Sequence, residues 1–162
     1  MSRLVLFFTI LVVLQVSSED VRGCPLKRLI DSCCVKKYPK LFDSEFITEC
    51  YNTQRKANDK CERDMCVARK LNLLTEEDSI NKDALLRFVE EGFKTEIDLV
   101  NAIKKKCFEE DISNIGKPEM CEVAKYKICI TSRMAEDCPK WDSKGICSSA
   151  QQKVENFMKM LS

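Results

Sequence analysis

Eleven cysteines and no histidine in 162 residues constrain this chain more than any other feature. Cysteine at that density persists as structure only where thiols are oxidised, because reducing compartments keep them as free, reactive groups. A metal framework fails on spacing: there is no Cys-x-x-Cys pair, and without histidine no mixed Cys/His zinc site can form. The odd count leaves at least one thiol without an intramolecular partner. Losing the imidazole also removes the general base of a nucleophilic triad. The four glycines form neither a GxGxxG nor a GxxxxGK[ST] phosphate loop.

The 27 basic and 26 acidic residues nearly cancel and are spread along the chain, so no electrostatic footprint for nucleic acid exists. No cofactor and no metal is implied. At 44% hydrophobic residues the chain can bury a core, and its length suits one domain. Residues 1–18 read as a secretory signal peptide. Arg3 supplies the positive start, Leu4 to Val13 form an apolar run broken only by Thr9, and Val16 and Ser18 are small residues before the cut. That run falls short of the roughly 20 residues of a membrane span. The expected mature domain is 19–162, secreted and extracellular.

Helical periodicity recurs along the rest of the chain. Asn81 is a candidate N-cap for a helix bearing Leu85, Leu86, Phe88 and Val89 and stopped near Gly92. Thr95 with Asp98 has the form of a capping signal ahead of Ile97, Val100, Ile103 and Cys107. Pro118 suits the first turn of a helix running through Cys121, Ala124, Ile128 and Cys129. Ser148 or Ser149 would cap a final helix with Ala150, Val154, Phe157, Met158 and Leu161 on one face. Two earlier helices are expected over 44–56 and 58–72. No segment alternates like a strand. The expected fold is all-α: a compact domain of about six to seven helices cross-linked by disulfides.

The Cys33-Cys34 doublet after Asp31 invites comparison with secreted phospholipases, but Ile30 stands where their catalytic histidine would precede the aspartate. Plant lipid-transfer modules need a Cys-x-Cys element that is absent here. A third set of spacings is more specific. Cys34 to Cys61, Cys66 to Cys107 and Cys129 to Cys138 match three characteristic gaps. With them come Pro39-Lys40-Leu41-Phe42 after the doublet, extra cysteines at Cys24, Cys50 and Cys121, and the segment from Cys138-Pro139 through Trp141 to Cys147. In these features the chain resembles the insect odorant-binding family, Plus-C branch, from Cys24 to Cys147. It departs in having four residues between Cys61 and Cys66 where the family has three, and in lacking a twelfth cysteine in the tail.

The resemblance implies a secreted carrier of small hydrophobic molecules, with helices around an apolar cavity and no catalysis. It also implies core bridges Cys34–Cys66, Cys61–Cys129 and Cys107–Cys138. Cys24, Cys33, Cys50, Cys121 and Cys147 would then supply two more bridges and one leftover thiol. Candidate ligand contacts are Leu85, Phe88, Val89, Phe93, Ile97, Val100, Ile103, Tyr126 and Met134, on the helices between Cys66 and Cys138. Ordinary core packing competes at each of them. Trp141 reads as structural, Lys104-Lys105-Lys106 as a solvated helix face, and Glu76, Glu77 and Asp78 as an exposed helix start. Expected partners are a small hydrophobic ligand, a membrane receptor or a second copy, and no nucleic acid. The rival function is a secreted interaction protein without a cavity. A carboxylate-pair hydrolase is the last enzyme left open, and nothing places two acidic residues in a cleft.

Overall fold

The computed structural model describes residues 25–39, 41, 48–50, 52 and 60–161. Residues 1–18 and Cys24 lie outside them, as does most of the helix expected over 44–56, of which 48–50 are helical. No helix is expected from the sequence before residue 44, yet α1 spans Pro25–Cys33. Proline at the first helical position costs no hydrogen bond, because that N–H has no intrahelical partner. Leu26, Ile30 and Cys33 then fall on one buried face, while Lys27 and Asp31 pair one turn apart at 2.7 Å.

Helix α2 spans Lys60–Lys70, within the expected 58–72. Its end is set by Asn72, which takes a left-handed φ of 56°. The Leu73 N–H donates to the Ala68 carbonyl (2.9 Å) and the Asn72 N–H to that of Arg69 (3.1 Å), closing a Schellman motif. Leu73 and Ala68 are both buried beneath it. Glu76, Glu77 and Asp78 do not start a helix. They lie between the bridged residues Leu74 and Ile80, in a turn where Asp78 pairs with Arg69 at 2.8 Å.

Helix α3, Lys82–Gly92, starts as expected: the Ala84 N–H donates to Asn81 Oδ1 at 3.0 Å. Gly92 ends it without a positive φ. A Cβ there would meet Cδ1 of buried Leu41, so a larger residue would require that side chain to shift. Helix α4, Ile97–Ile103, runs on into a π turn over Lys104–Glu109. Thr95 is not its cap. Glu96 takes the N-cap position, and its carboxylate pairs with Lys36 at 2.6 Å rather than capping the helix.

The inward face of α4 also differs from expectation. Leu99, Ile103 and Cys107 are buried, whereas Ile97 is 69% exposed. Three-residue steps drift about 60° per step around a helix, so Ile97 and Ile103 cannot share a narrow face. Four-residue steps drift about 40° the other way, which keeps Leu99 and Cys107 beside Ile103. Lys104, Lys105 and Lys106 are exposed as expected, on the π turn.

Helix α5, Glu122–Glu136, is the centre of the molecule and packs on α1, α2, α4 and the π turn. Pro118 is not in its first turn. Pro118 sits in a preceding turn in which the Met120 N–H donates to the Lys117 carbonyl (3.0 Å), and Cys121 is the N-cap. Tyr126, Cys129, Ile130, Met134 and Ala135 are buried, and so are Thr131 and Ser132. Both hydroxyls donate one turn back, to the Lys127 (2.6 Å) and Ile128 (2.8 Å) carbonyls, so their burial leaves no donor unmet. After a 3-10 turn at Gly145–Cys147, helix α6 spans Ala150–Leu161. At its start the Lys153 N–H donates a hydrogen bond to the Ser149 carbonyl at 3.0 Å. Ala150 and Val154 are buried, and Phe157 and Met158 are half-buried, on the expected face. One hydrophobic cluster draws residues from each of the helices α1 to α6.

The architecture is all-helical, with five disulfides among the described residues. Their pairing corrects all three bridges that the family resemblance implies. Cys34 joins Cys138, Cys66 joins Cys50, Cys61 joins Cys121, and Cys107 joins Cys129. Cys33 joins Cys147. The physical reason is proximity, because a bridge needs Cα atoms within about 7 Å. The antiparallel contact of Cys34 with Trp141 brings Cys138 to 6.0 Å from Cys34, and the cysteines of the π turn and α5 stand 5.8 Å apart.

Two outcomes are expected. Tryptic digestion of unreduced protein should yield peptide 41–55 joined to 64–69, and a three-chain unit of 29–36, 134–140 and 145–153. Mass spectrometry linking Cys66 to the Cys33-Cys34 peptide would overturn this pairing. Replacing Leu99 by Ala should cost about 2–5 kcal/mol in urea unfolding, and replacing Ile97 by Ala about 0.5 kcal/mol or less. Equal losses would contradict the orientation of α4.

Candidate functional site

Tertiary packing brings most of the nine candidate contacts together. Leu85, Val89, Phe93 and Ile103 are buried at the centre of the main cluster, with Tyr126 and Met134 of α5. Phe88 and Val100 are half-buried against it, and Ile97 faces solvent. Phe108 of the π turn lies 5.3 Å from the Tyr126 ring, at a tilted 38°. Burial pushes the Tyr126 phenol above its usual pKa, and Lys82 pulls partly the other way. Trp141 is half-buried and bridges to Cys34 as part of the framework.

Two other features carry polar chemistry. In the first, Lys36 Nζ meets Asp137 Oδ2 at 2.7 Å and Glu96 Oε2 at 2.6 Å, and the Tyr38 hydroxyl donates to the same Asp137 oxygen at 2.8 Å. Lys36 also stands 5.1 Å from the centre of the Tyr38 ring. These groups tie the segment after α1 to the start of α4 and the end of α5. One ammonium serves two carboxylates and the tyrosine hydroxyl binds one of them, so the cluster reads as a latch between segments. Among the described residues no three metal-ligating side chains come together, and no helix is long and apolar enough to cross a membrane.

The second feature is a groove of about 420 Å³, open to solvent on one side. Ile115, Cys129 and Met158 supply apolar lining, and Ser132, Arg133, Glu136 and Lys159 the polar part. Its size falls within the usual range for small-molecule sites, about 300–1,000 Å³. Arg133 Nη1 pairs with Glu136 Oε2 at 2.6 Å, while Arg133 Nε is buried with no hydrogen-bond partner. None of the nine candidates lines this groove. Its walls come from α5, α6 and the 112–120 segment, and among the side chains Met158, through the apolar face of the last helix, and Cys129, as a spaced cysteine on a helix, had a signal in the sequence. Arg133 and Lys159 look like ordinary solvated charges until the fold sets them around one space.

The latch has a pH signature. Hydrogen bonds to Asp137 and then Glu96 raise the Lys36 pKa, while burial and then the Asp137 hydrogen bond raise that of Tyr38 far above its usual value. Both groups hold protons more tightly in the folded chain. Their stabilisation is therefore complete below their ordinary values near 10 and is lost as pH rises through the folded values. Tyr38→Phe should cost about 1 kcal/mol at pH 7, a hydrogen-bond loss reduced by partial exposure, and should flatten the fall in stability above about pH 10. Urea unfolding at pH 7 and 10.5 checks both, and an unchanged alkaline fall in the variant would contradict the assignment.

No protein-family model, curated protein or solved structure matches the chain, so the groove and its framework have to be read on their own chemistry.

Proposed function

We propose that this protein is a secreted carrier that holds a small, largely apolar molecule, in the manner of the insect odorant-binding family whose cysteine spacing it resembles. The groove carries this reading: a concave space with an apolar wall and a few polar groups is the usual form of a small-molecule site. The framework supports it. Unfilled space costs on the order of 24 cal/mol per Å³, and each bridge offsets such losses by typically about 2–4 kcal/mol. Cys107–Cys129 fastens α5 beside the groove, and Cys33–Cys147 fixes the chain three residues before α6. Five bridges and the apolar leader support secretion. Binding would be driven by burial of apolar area, about 25 cal/mol per Å², with no bond made or broken.

The oxidised mature chain, 19–162, should raise the fluorescence of N-phenyl-1-naphthylamine saturably at one site per molecule. Medium-chain or volatile apolar compounds should displace it. Affinity should be constant from pH 7.5 to 6, because the chain has no histidine to titrate there. Absence of saturable binding in the oxidised, folded protein would instead favour an interaction protein that needs no ligand space.

A further inference from the structure

We propose that the segment carrying Lys36, Tyr38 and Leu41 is a lid on the apolar interior, hinged at the Cys34–Cys138 bridge and opening as a unit while the helices stay packed. The inference goes beyond the carrier reading and does not depend on it. Its first support is how little of the backbone holds the segment. The hinge is fixed by the bridge and by the Val35 N–H, which donates to the Lys140 carbonyl at 3.0 Å. Beyond it, no backbone group of 36–39 bonds to the rest of the chain among the described residues. The Leu41 N–H donates to the Pro39 carbonyl at 2.9 Å, inside the segment itself. Pro39 has no N–H to satisfy and biases Tyr38 toward extended backbone. The segment can therefore leave the body without breaking a backbone hydrogen bond.

Two side-chain contacts close it, one polar and one apolar. Lys36 and Tyr38 form a catch on Glu96 and Asp137. The side chains of Lys36, Glu96 and Asp137 are 27%, 30% and 28% exposed, so water takes over each partner as the catch opens. Leu41 is the plug. It is buried in the main cluster, with Cδ1 only 1.8 Å from where a Cβ on Gly92 would stand. Catch and plug thus grip the two ends of 92–96, the link between α3 and α4, in which Phe93 is completely buried. Segments held by few apolar contacts and few backbone bonds open at the lowest free energy, well before a helix packed on several sides such as α5. An open lid leaves the seat of Leu41, at the end of α3, within reach of a small apolar molecule.

The test is native-state proteolysis of the oxidised mature chain, with initial trypsin cuts mapped by mass spectrometry after reduction. Lys37 gives a cut inside the lid, and Lys127 and Arg133 give cuts in α5. In wild type the lid cut should outpace those in α5 by about tenfold or more, and low, non-denaturing urea should leave its rate unchanged. Asp137→Asn, which weakens the catch, and Leu41→Ala, which empties the plug, should each speed the lid cut by about tenfold or more. Val154→Ala removes a buried contact of α6, outside the lid, that persists while the lid is open. It should speed the α5 cuts and leave the lid cut as in wild type. Circular dichroism checks that each variant is folded. A lid cut that follows the α5 cuts, in urea and in Val154→Ala, would mean that only global unfolding exposes Lys37 and would overturn the lid. A folded Leu41→Ala or Asp137→Asn with a lid cut at the wild-type rate would overturn it too, because catch and plug would not release together. The wild-type urea comparison decides the matter even where a variant fails to fold.

Discussion

Adjacent cysteines at 33 and 34 cannot reach the same place, because successive side chains leave the backbone in different directions. Here they divide between two clusters. Cys34 lies in the main core and joins Cys138, while Cys33 lies with Cys147 and Ala150 in a smaller one. The end of α1 is thus fixed to the segment ahead of α6 over sequence separations of 104 and 114 residues. Two backbone bonds lie alongside, from Val35 N–H to the Lys140 carbonyl (3.0 Å) and from Asp142 N–H to that of Cys33 (2.7 Å). In the chain-entropy picture the first bridge to close so long a loop restricts the unfolded state by about 4–5 kcal/mol. The second then closes only the short path between 138 and 147, worth roughly 3 kcal/mol. Helices α2 to α5 and the π turn lie between those two ends.

What lies between is organised around α5. A helix contacted on several sides must be apolar on several sides, and buried Thr131 and Ser132 are tolerated because each hydroxyl is satisfied by its own helix. The Lys36 latch acts at the C-terminal end of the same helix through Asp137. It joins the chain just beyond the cysteine doublet to α4 and α5, so covalent and ionic ties converge there. The groove lies along α5 as well, bounded by Cys129, Ser132, Arg133 and Glu136. Its floor belongs to the most constrained helix, whereas Met158 and Lys159 come from α6, which is joined to the framework through Cys147 at its N-terminal side.

Local chemistry was readable without a fold. The apolar periodicity of 82–92 and 150–161 and the Asn81 cap depend on residues within a few positions of one another, and an isolated segment already contains the information. Leu26, Ile30 and Cys33 behind Pro25 carried the same signal for α1 over only nine residues, too short a stretch for periodicity to stand out. Where a distant group competes, the local reading fails. Glu96 takes the N-cap position of α4 while its side chain goes to Lys36, and Thr95 is left aside. Three-residue spacing likewise pointed to Ile97, although the face that packs on α5 is centred on Leu99 and Ile103.

By itself the sequence determined a helical, cysteine-rich chain with an odd thiol and no imidazole chemistry, because composition and short-range spacing suffice for each of those properties. It did not determine which sulfurs meet. Cysteines over a hundred residues apart pair only if packing brings their Cα atoms to about 6 Å, and many pairings are compatible with one order of cysteines along the chain. The groove belongs to the same category. Ile115, Arg133 and Met158 share no local pattern, and Arg133 becomes distinctive only once packing buries its Nε away from water and from any acceptor. Contacts within a turn of helix are written in neighbouring residues, whereas contacts between helices depend on how every helix packs at once, and here that packing was decided only in the folded chain.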